Sequence, residues 1–221
     1  MAREINDRID ALFVEGQDDG ALVNALVNRV IGIDLAREPH KVVKVRSDGG
    51  GDTWAVRQFK KRVEEGRRQA RVGLQARIGL IVDRDDDTND KWPVVSRILQ
   101  DLGVDAHGGP EAAGAIVSGR YGVWMWPDNV SHGDLETFVA GILPQAPIFI
   151  YAAEACRIAK DDHAAEYELR HARKAALKVR SVWRDASAAG GYGHLVRNLP
   201  LIETPACNAF LAWFRALFLT E

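Results

Sequence analysis

The chain has 221 residues, 47% of them hydrophobic, with 29 Lys+Arg against 31 Asp+Glu. That is enough for one full domain, or a domain with a small appendage, burying roughly 70% of its unfolded surface. Ordinary apolar content and a formal net charge of -2 exclude a disordered or fibrous chain and argue against nonspecific coating of nucleic acid by the whole molecule.

No apolar run reaches the roughly 18 residues of a membrane span, and Met1-Ala2-Arg3-Glu4 lacks the apolar core of a signal peptide. Cys156 and Cys207 are too few and too far apart for a disulfide framework or a structural zinc site. A cytoplasmic protein with no membrane contact is expected.

In chain order, the apolar run Ala11-Leu12-Phe13-Val14 precedes Asp18-Asp19-Gly20, which opens a helix to about Ile31. Its Leu22, Val23, Leu26, Val27 and Val30 follow a helical period. The run Lys41–Val45 and a charged helix from about Thr53 to Arg71 come next. Ile78-Gly79-Leu80-Ile81-Val82 is continuous and rich in β-branched residues, as in a strand covered on both faces, and ends in Asp83-Arg84-Asp85-Asp86-Asp87. A helix from Pro93 to Leu102 follows. These three β-α units point to a parallel sheet with right-handed crossovers. Ala115–Val117 and Tyr121–Trp126 are further strands, with Trp124 and Trp126 on one face and so in the core. Helical patterns then run over Leu135–Leu143, Ile148–Lys160, Ala164–Trp183 and Ala206–Leu219. The expected architecture is an α/β domain over residues 8–143, with a mainly parallel sheet flanked by helices, and a helical C-terminal region over 144–221 packed on it.

Open parallel sheets place their sites beyond the carboxyl ends of the strands. The residues there are Glu15-Gly16-Gln17-Asp18-Asp19 and Asp83-Arg84-Asp85-Asp86-Asp87. If the two strands are neighbours, these carboxylates converge, and several of them within a few ångströms repel unless a cation lies among them. Oxygen ligands without Cys or His select Mg²⁺ or Mn²⁺. Asp18, Asp19, Asp86 and Asp87 equally suit solvated caps of the following helices. Asp83–Asp87 lacks the central Gly and terminal Glu of an EF-hand loop.

Val14-Glu15-Gly16-x-Asp18-Asp19, followed by Val82-Asp83-x-Asp85, resembles the Toprim domain of topoisomerases, bacterial primases, ribosomal-RNA maturases and the overcoming-lysogenization-defect nucleases. The stretch Val123-Trp124-Met125-Trp126-Pro127-Asp128-Asn129, with Gly133-Asp134-Leu135-Glu136-Thr137-Phe138, extends the similarity to a set of uncharacterised bacterial Toprim-like proteins related to those nucleases. The resemblance covers roughly residues 10–218, the C-terminal helices matching only in pattern.

It implies a Toprim-like Rossmannoid core and Mg²⁺- or Mn²⁺-dependent phosphodiester chemistry on DNA or RNA. Glu15 matches the domain's Glu, as metal ligand or general base, and Asp83 and Asp85 match its Asp-x-Asp ligands. Asp19 is a second acid sharing the metal, and Glu136, with Asp134 before it, completes a second metal position. A catalytic Lys from the C-terminal helices is matched by Lys174 or Lys178. Arg84 departs from the pattern, in which a small residue is commoner, and could pair with a carboxylate or reach a phosphate. The chain lacks a topoisomerase's Tyr motif and the zinc and polymerase regions of a primase, which leaves hydrolysis. Relatives of the domain often work beside an ATPase, so a separate ATPase subunit is an expected partner. A non-cutting metal-binding regulatory or sensor subunit is the alternative. A receiver-type phosphoacceptor is disfavoured by Pro127-Asp128, where that class expects a hydroxyl residue and a Lys.

Two helices carry basic residues that could track a phosphate backbone or serve as solvated faces: Arg57–Arg71, and Arg170–Arg184, which holds Lys174 and Lys178. Gly49-Gly50-Gly51-Asp52 lacks the Lys-Ser/Thr of a P-loop and reads as a turn.

Overall fold

In the computed structural model, the structure describes residues 10–35, 44–46, 51–70, 76–107, 109–184 and 191–219. Strand β1 (Ala11–Val14) is buried along its whole length. Gly16, in extended conformation, caps helix α1 (Gln17–Ile31), which buries Leu22, Val23, Leu26 and Val27 on its inner stripe and stops at Gly32 in the left-handed region. Strand β2 (Lys44–Arg46) and helix α2 (Gly51–Ala70) follow. Strand β3 (Ile78–Asp83) is six residues long, and helix α3 (Trp92–Asp101) starts with Pro93 in its first turn, where a missing N–H costs nothing. A 3₁₀ turn (Pro110–Gly114) leads to β4 (Ile116–Val117) and β5 (Tyr121–Trp126), and the Trp126–Pro127 peptide is cis. Lys41–Val43, Gly49, Gly50 and Arg71, which the sequence places in a strand, a turn and a helix, lie outside the described residues.

The five strands lie in the order β2-β1-β3-β5-β4. β1 runs parallel to β2 and β3, and β3 parallel to β5, while β4 is antiparallel to β5. The chain is therefore α/β with a mainly parallel sheet, and β1 and β3 are neighbours, with Val14 beside Ile81 and Asp83 beside Trp126. Side chains alternate across the sheet. Ala11, Phe13, Leu80, Val82, Val123 and Met125 pack with α2 and α3 on one face. Leu12, Val14, Ile81, Trp124 and Trp126 pack on the other with the remaining helices.

Those remaining helices are α1, α4 (Leu135–Ile142), α5 (Pro147–Asp162), α6 (Ala172–Arg184), α7 (Tyr192–Asn198) and α8 (Pro205–Phe218). C-terminal residues Phe149, Leu177, Leu195, Phe210 and Phe214 share one core cluster with the strands. Helix α8 lies close against β5 because Gly79 and Gly122, partners in register, present bare backbone. A Cβ on Gly79 would stand 2.7 Å from Leu12 and 3.2 Å from Leu217, and one on Gly122 would stand 3.0 Å from Trp213.

Two helical expectations are corrected. The pattern Ala164–Trp183 is not one helix: Ala164 takes φ 53 and a 3₁₀ turn (Leu169–His171) precedes α6. The Tyr167 hydroxyl donates to the Cys156 carbonyl and the Lys160 ammonium to the Ala165 carbonyl, folding this segment back on α5. Helix α7, which the sequence reading does not anticipate, packs on α1. Among the described residues, no helix is long and apolar enough to cross a membrane.

Candidate functional site

The carboxyl edge of the sheet carries the acids. Glu15 leaves the end of β1, and its Oε2 accepts the backbone N–H of Asp83, the last residue of β3, at 3.3 Å. Asp83 Oδ1 in turn accepts the N–H of Leu135 at the start of α4, at 2.9 Å. Asp19 lies in the first turn of α1, where Oδ2 accepts the Gly16 N–H at 3.0 Å, which is half of a helix cap. Its Oδ1 accepts the indole N–H of Trp126, also at 3.0 Å. Glu136, in the first turn of α4, is buried, accepts the Tyr192 hydroxyl at 2.7 Å and pairs with Lys174 at 3.4 Å. Glu15, Asp18, Asp19, Asp83, Glu136, Lys174 and Lys178 line one cavity of about 420 Å³. A larger one of about 870 Å³ adjoins it and is bordered also by Asp52, Asp85, Lys91 and Arg173.

The structure thus brings Glu15, Asp19, Asp83, Glu136 and Lys174 together and turns Asp85 to one side. Asp85 takes φ 66 and is fixed by a two-way backbone bridge to Gly133, with N–H···O distances of 2.8 and 2.9 Å. Its carboxylate meets Lys91 at 3.0 Å. Of the two candidate lysines, Lys174 faces Glu136, while Lys178 pairs with Asp18 at 3.0 Å. Asp134 caps α4 by accepting the Thr137 N–H. Asp86 accepts from Thr88 and Asn89 within its own turn, and Asp87 faces His132 from a different loop. Arg84 is buried and pairs with Asp90 and the Val130 carbonyl, not with the Asp-x-Asp carboxylates.

Charge crowding is visible in the acidities. Burial first, then the Glu15 charge, pushes Asp19 from an ordinary 3.8 up to about 7, against the lowering effect of the Trp126 and Gly16 hydrogen bonds. Burial, then the charges of Asp19, Glu15 and Glu136, holds Asp83 well above its ordinary range. Burial also raises Glu15, although Lys91 opposes it. Against its own burial, Lys174 is raised by Glu136.

Three contributors escape the sequence reading. Lys91 is remote in sequence from Glu15. Trp126 has a ring that packs 4.4 Å from Phe138 and so obeys the core expectation, while its N–H serves Asp19. Tyr192 has no motif, and its hydroxyl is pushed far up by burial and by Glu136. Only the Trp pair on one strand face carried any signal.

The basic helices divide. On α2, Lys60 and Arg62 pair with Asp101 and Glu65, on the face of the sheet opposite α6. On α6, Arg173, Lys174 and Lys178 face acids of the site, whereas Arg180 is turned inward against Phe149.

Among the described residues, no group of three or more His, Cys, Asp or Glu side chains is arranged to hold a metal ion. No curated protein and no solved structure matches the chain. A family model described as a protein of unknown function (DUF3226) matches residues 9–219, nearly the whole length, and the chain belongs to that family.

Proposed function

We propose that the chain is a Mg²⁺- or Mn²⁺-dependent phosphodiesterase acting on nucleic acid, DNA or RNA, through a Toprim-type acidic site. One observation carries this reading: carboxylates from β1, α1, β3 and α4 are withdrawn from water together at the carboxyl edge of a parallel sheet, and that burial, with their mutual repulsion after it, raises Asp19 and Asp83. A fold does not pack such charges at one point without a use or a counter-ion. The donor set fits a hard divalent cation, since all its members are oxygens. Glu15, Asp19, Asp83 and Glu136 would hold it, once Glu15 and Glu136 loosen from the ion pairs that now engage them.

The bound ion would supply Lewis-acid activation of a phosphate oxygen and of water. The chain's own residues do the rest. The Lys174 ammonium, half exposed beside Glu136, reaches a phosphate oxygen entering the cavity and stabilises the charge that grows there. Glu15, adjoining both cavities, is placed to take a proton from the attacking water. Arg173 at the rim holds the flanking phosphate. The core is read as Toprim-like on Glu15 after β1 and Asp83-x-Asp85 after β3, and the cytoplasm and a separate ATPase subunit belong to the same proposal.

A second reading has its own support. Lys91, Lys174 and Lys178 already neutralise acids of the site, which suits a non-cutting regulatory or sensor subunit. The deciding experiment offers supercoiled plasmid and single-stranded RNA to the purified protein with Mg²⁺, Mn²⁺ or EDTA, beside Glu15→Ala. Metal-dependent cutting lost in the variant supports the nuclease. Mn²⁺ binding without cutting supports the regulatory subunit, and neither binding nor cutting refutes both.

A further inference from the structure

The apolar side chains left outside the two core faces gather in one region. Of the eleven large ones exposed among the described residues, seven lie between Ile148 and Trp183, so the exposure is local and not scattered. Helix α5 buries Phe149, Ala152 and Cys156 on its inner side. Its outer side carries Ile150, Tyr151, Glu154, Arg157, Ile158 and Asp161 at three- and four-residue spacing, all exposed. Tyr151 is 69% exposed, and its ring lies 5.7 Å from that of Trp183, near the end of α6, which packs along α5. Val182, the neighbour of Trp183 in the chain, is exposed as well.

The charges on this surface decide what suits it. Arg157 is the one exposed cation of α5, and it is matched by two acids, Glu154 at 2.7 Å and Asp161 at 2.8 Å. A phosphate backbone or an anionic membrane is drawn by an excess of cations, which the outer side of α5 lacks. Tyr, Trp and Arg without Lys is the composition of a protein–protein contact.

The order of residues along α5 then selects a second copy of the chain. The helix runs from Pro147 to Asp162, and a twofold axis through its middle lays two copies antiparallel. Tyr151 of each copy comes level with Ile158 of the other, apolar on apolar. Glu154 of each comes within a turn of Arg157 of the other, so an acid meets a base on both sides of the axis. The surface is complementary to itself, as an isologous contact requires.

We propose that the outer side of α5, with Tyr151 and Trp183 as its aromatic centre, joins two copies of this chain in a twofold dimer. This surface uses none of the acids at the sheet edge, so it stands whether or not they bind a metal.

The test is sedimentation and light scattering of the full chain from nanomolar to high micromolar concentration. The wild type passes from monomer to dimer across that range. Tyr151→Ala and Trp183→Ala each weaken the dimer about tenfold or more, as truncating a central aromatic anchor does. Arg157→Glu sets acids against acids across the axis, and Glu154→Arg sets bases against bases, so either variant alone is weakened about tenfold or more. Mixed in equal amounts, these two restore a dimer holding one chain of each, because every acid again meets a base. A merely structural effect of either substitution would not be repaired by mixing. A wild type that stays monomeric throughout, a dimer indifferent to Tyr151→Ala and Trp183→Ala, or no gain on mixing would overturn the proposal. So would a monomer that needs Tyr151 and Trp183 to bind an oligonucleotide or an anionic vesicle.

Discussion

Replacing Asp19 with Asn tests whether burial, with the neighbouring acids beside it, holds this carboxyl above its ordinary range. Asp19 is buried, with its carboxyl pushed from 3.8 up to about 7. An acid whose folded pKa is raised contributes stability below its unfolded value and loses it as the pH climbs through the folded one. The metal-free protein therefore weakens between about pH 4 and pH 7. At 1.36 kcal/mol per pH unit, ionising Asp19 in place costs at most about 4 kcal/mol. Asn carries no charge and escapes that cost. It pays a different one, because its single carbonyl oxygen can serve Gly16 or Trp126 but not both, and leaving one of these buried donors without an acceptor costs about 1–3 kcal/mol. The hydrogen-bond cost is common to all pH values, so it drops out when two are compared. Urea denaturation in EDTA should show Asp19→Asn gaining about 2–3 kcal/mol on wild type between pH 5 and pH 8, and being the more stable protein at pH 8. A difference that stays constant across that range would refute the crowding argument and remove the support it gives to a cation site.

Trp126→Phe keeps an aromatic ring against Phe138 and Phe210 but deletes the N–H that serves Asp19. The loss should be about 1.5–3 kcal/mol above pH 7 and smaller at pH 5, because the bond is stronger to an ionised acceptor; equal losses by denaturation at both would contradict the assignment. Tyr192→Phe strips the buried Glu136 of its hydroxyl donor, leaving Lys174 alone beside it. A stability loss of about 1–3 kcal/mol is expected, with weaker Mn²⁺ binding by calorimetry. Gly193→Ala puts a methyl 2.5 Å from the Ala21 carbonyl oxygen, so α7 must part from α1. The expected cost is about 1–3 kcal/mol, with the Tyr192 fluorescence environment changed; an unaltered melting curve would mean that the two helices are not so closely packed.

What could be read from the residues alone is what depends on local pattern. The continuous run Ile78–Val82 could be nothing but a strand covered on both faces, and the acids following it had to fall at the sheet edge. Glu15, Asp19 and Asp83 were legible for that reason, whereas Glu136, in the first turn of α4, was legible only through the resemblance of Gly133–Phe138 to the Toprim-like proteins. Lys91 was not, because its meaning comes from Glu15, 76 positions away, and nothing in Asn89-Asp90-Lys91-Trp92 announces that contact. Tyr192 was hidden in the same way, 56 positions from Glu136, in a short helix whose Gly193 lowers helical propensity. The break at Ala164 was missed because the apolar spacing continues across it. The hydrogen bonds of Tyr167 and Lys160 to carbonyls, which turn the chain there, are invisible to periodicity.

The bare strip formed by Gly79 and Gly122 has a consequence for how the protein is made. The tryptophans of β5 are covered by Phe210 and Trp213 of α8, with ring centroids of Trp124 5.4 and 5.9 Å from theirs. When β5 leaves the ribosome, the residues that will roof it have not been translated, and the intervening α4 to α7 must emerge first. For that interval the nascent sheet shows an unroofed aromatic face, the kind of surface that chaperones hold and that aggregates seed on. Completion of the sheet's second face is thus a late event in synthesis, and ribosomes stalled before Phe210 should carry chains that are trapped by chaperones and cut readily by protease, while chains released from the ribosome, with α8 free to dock, are not.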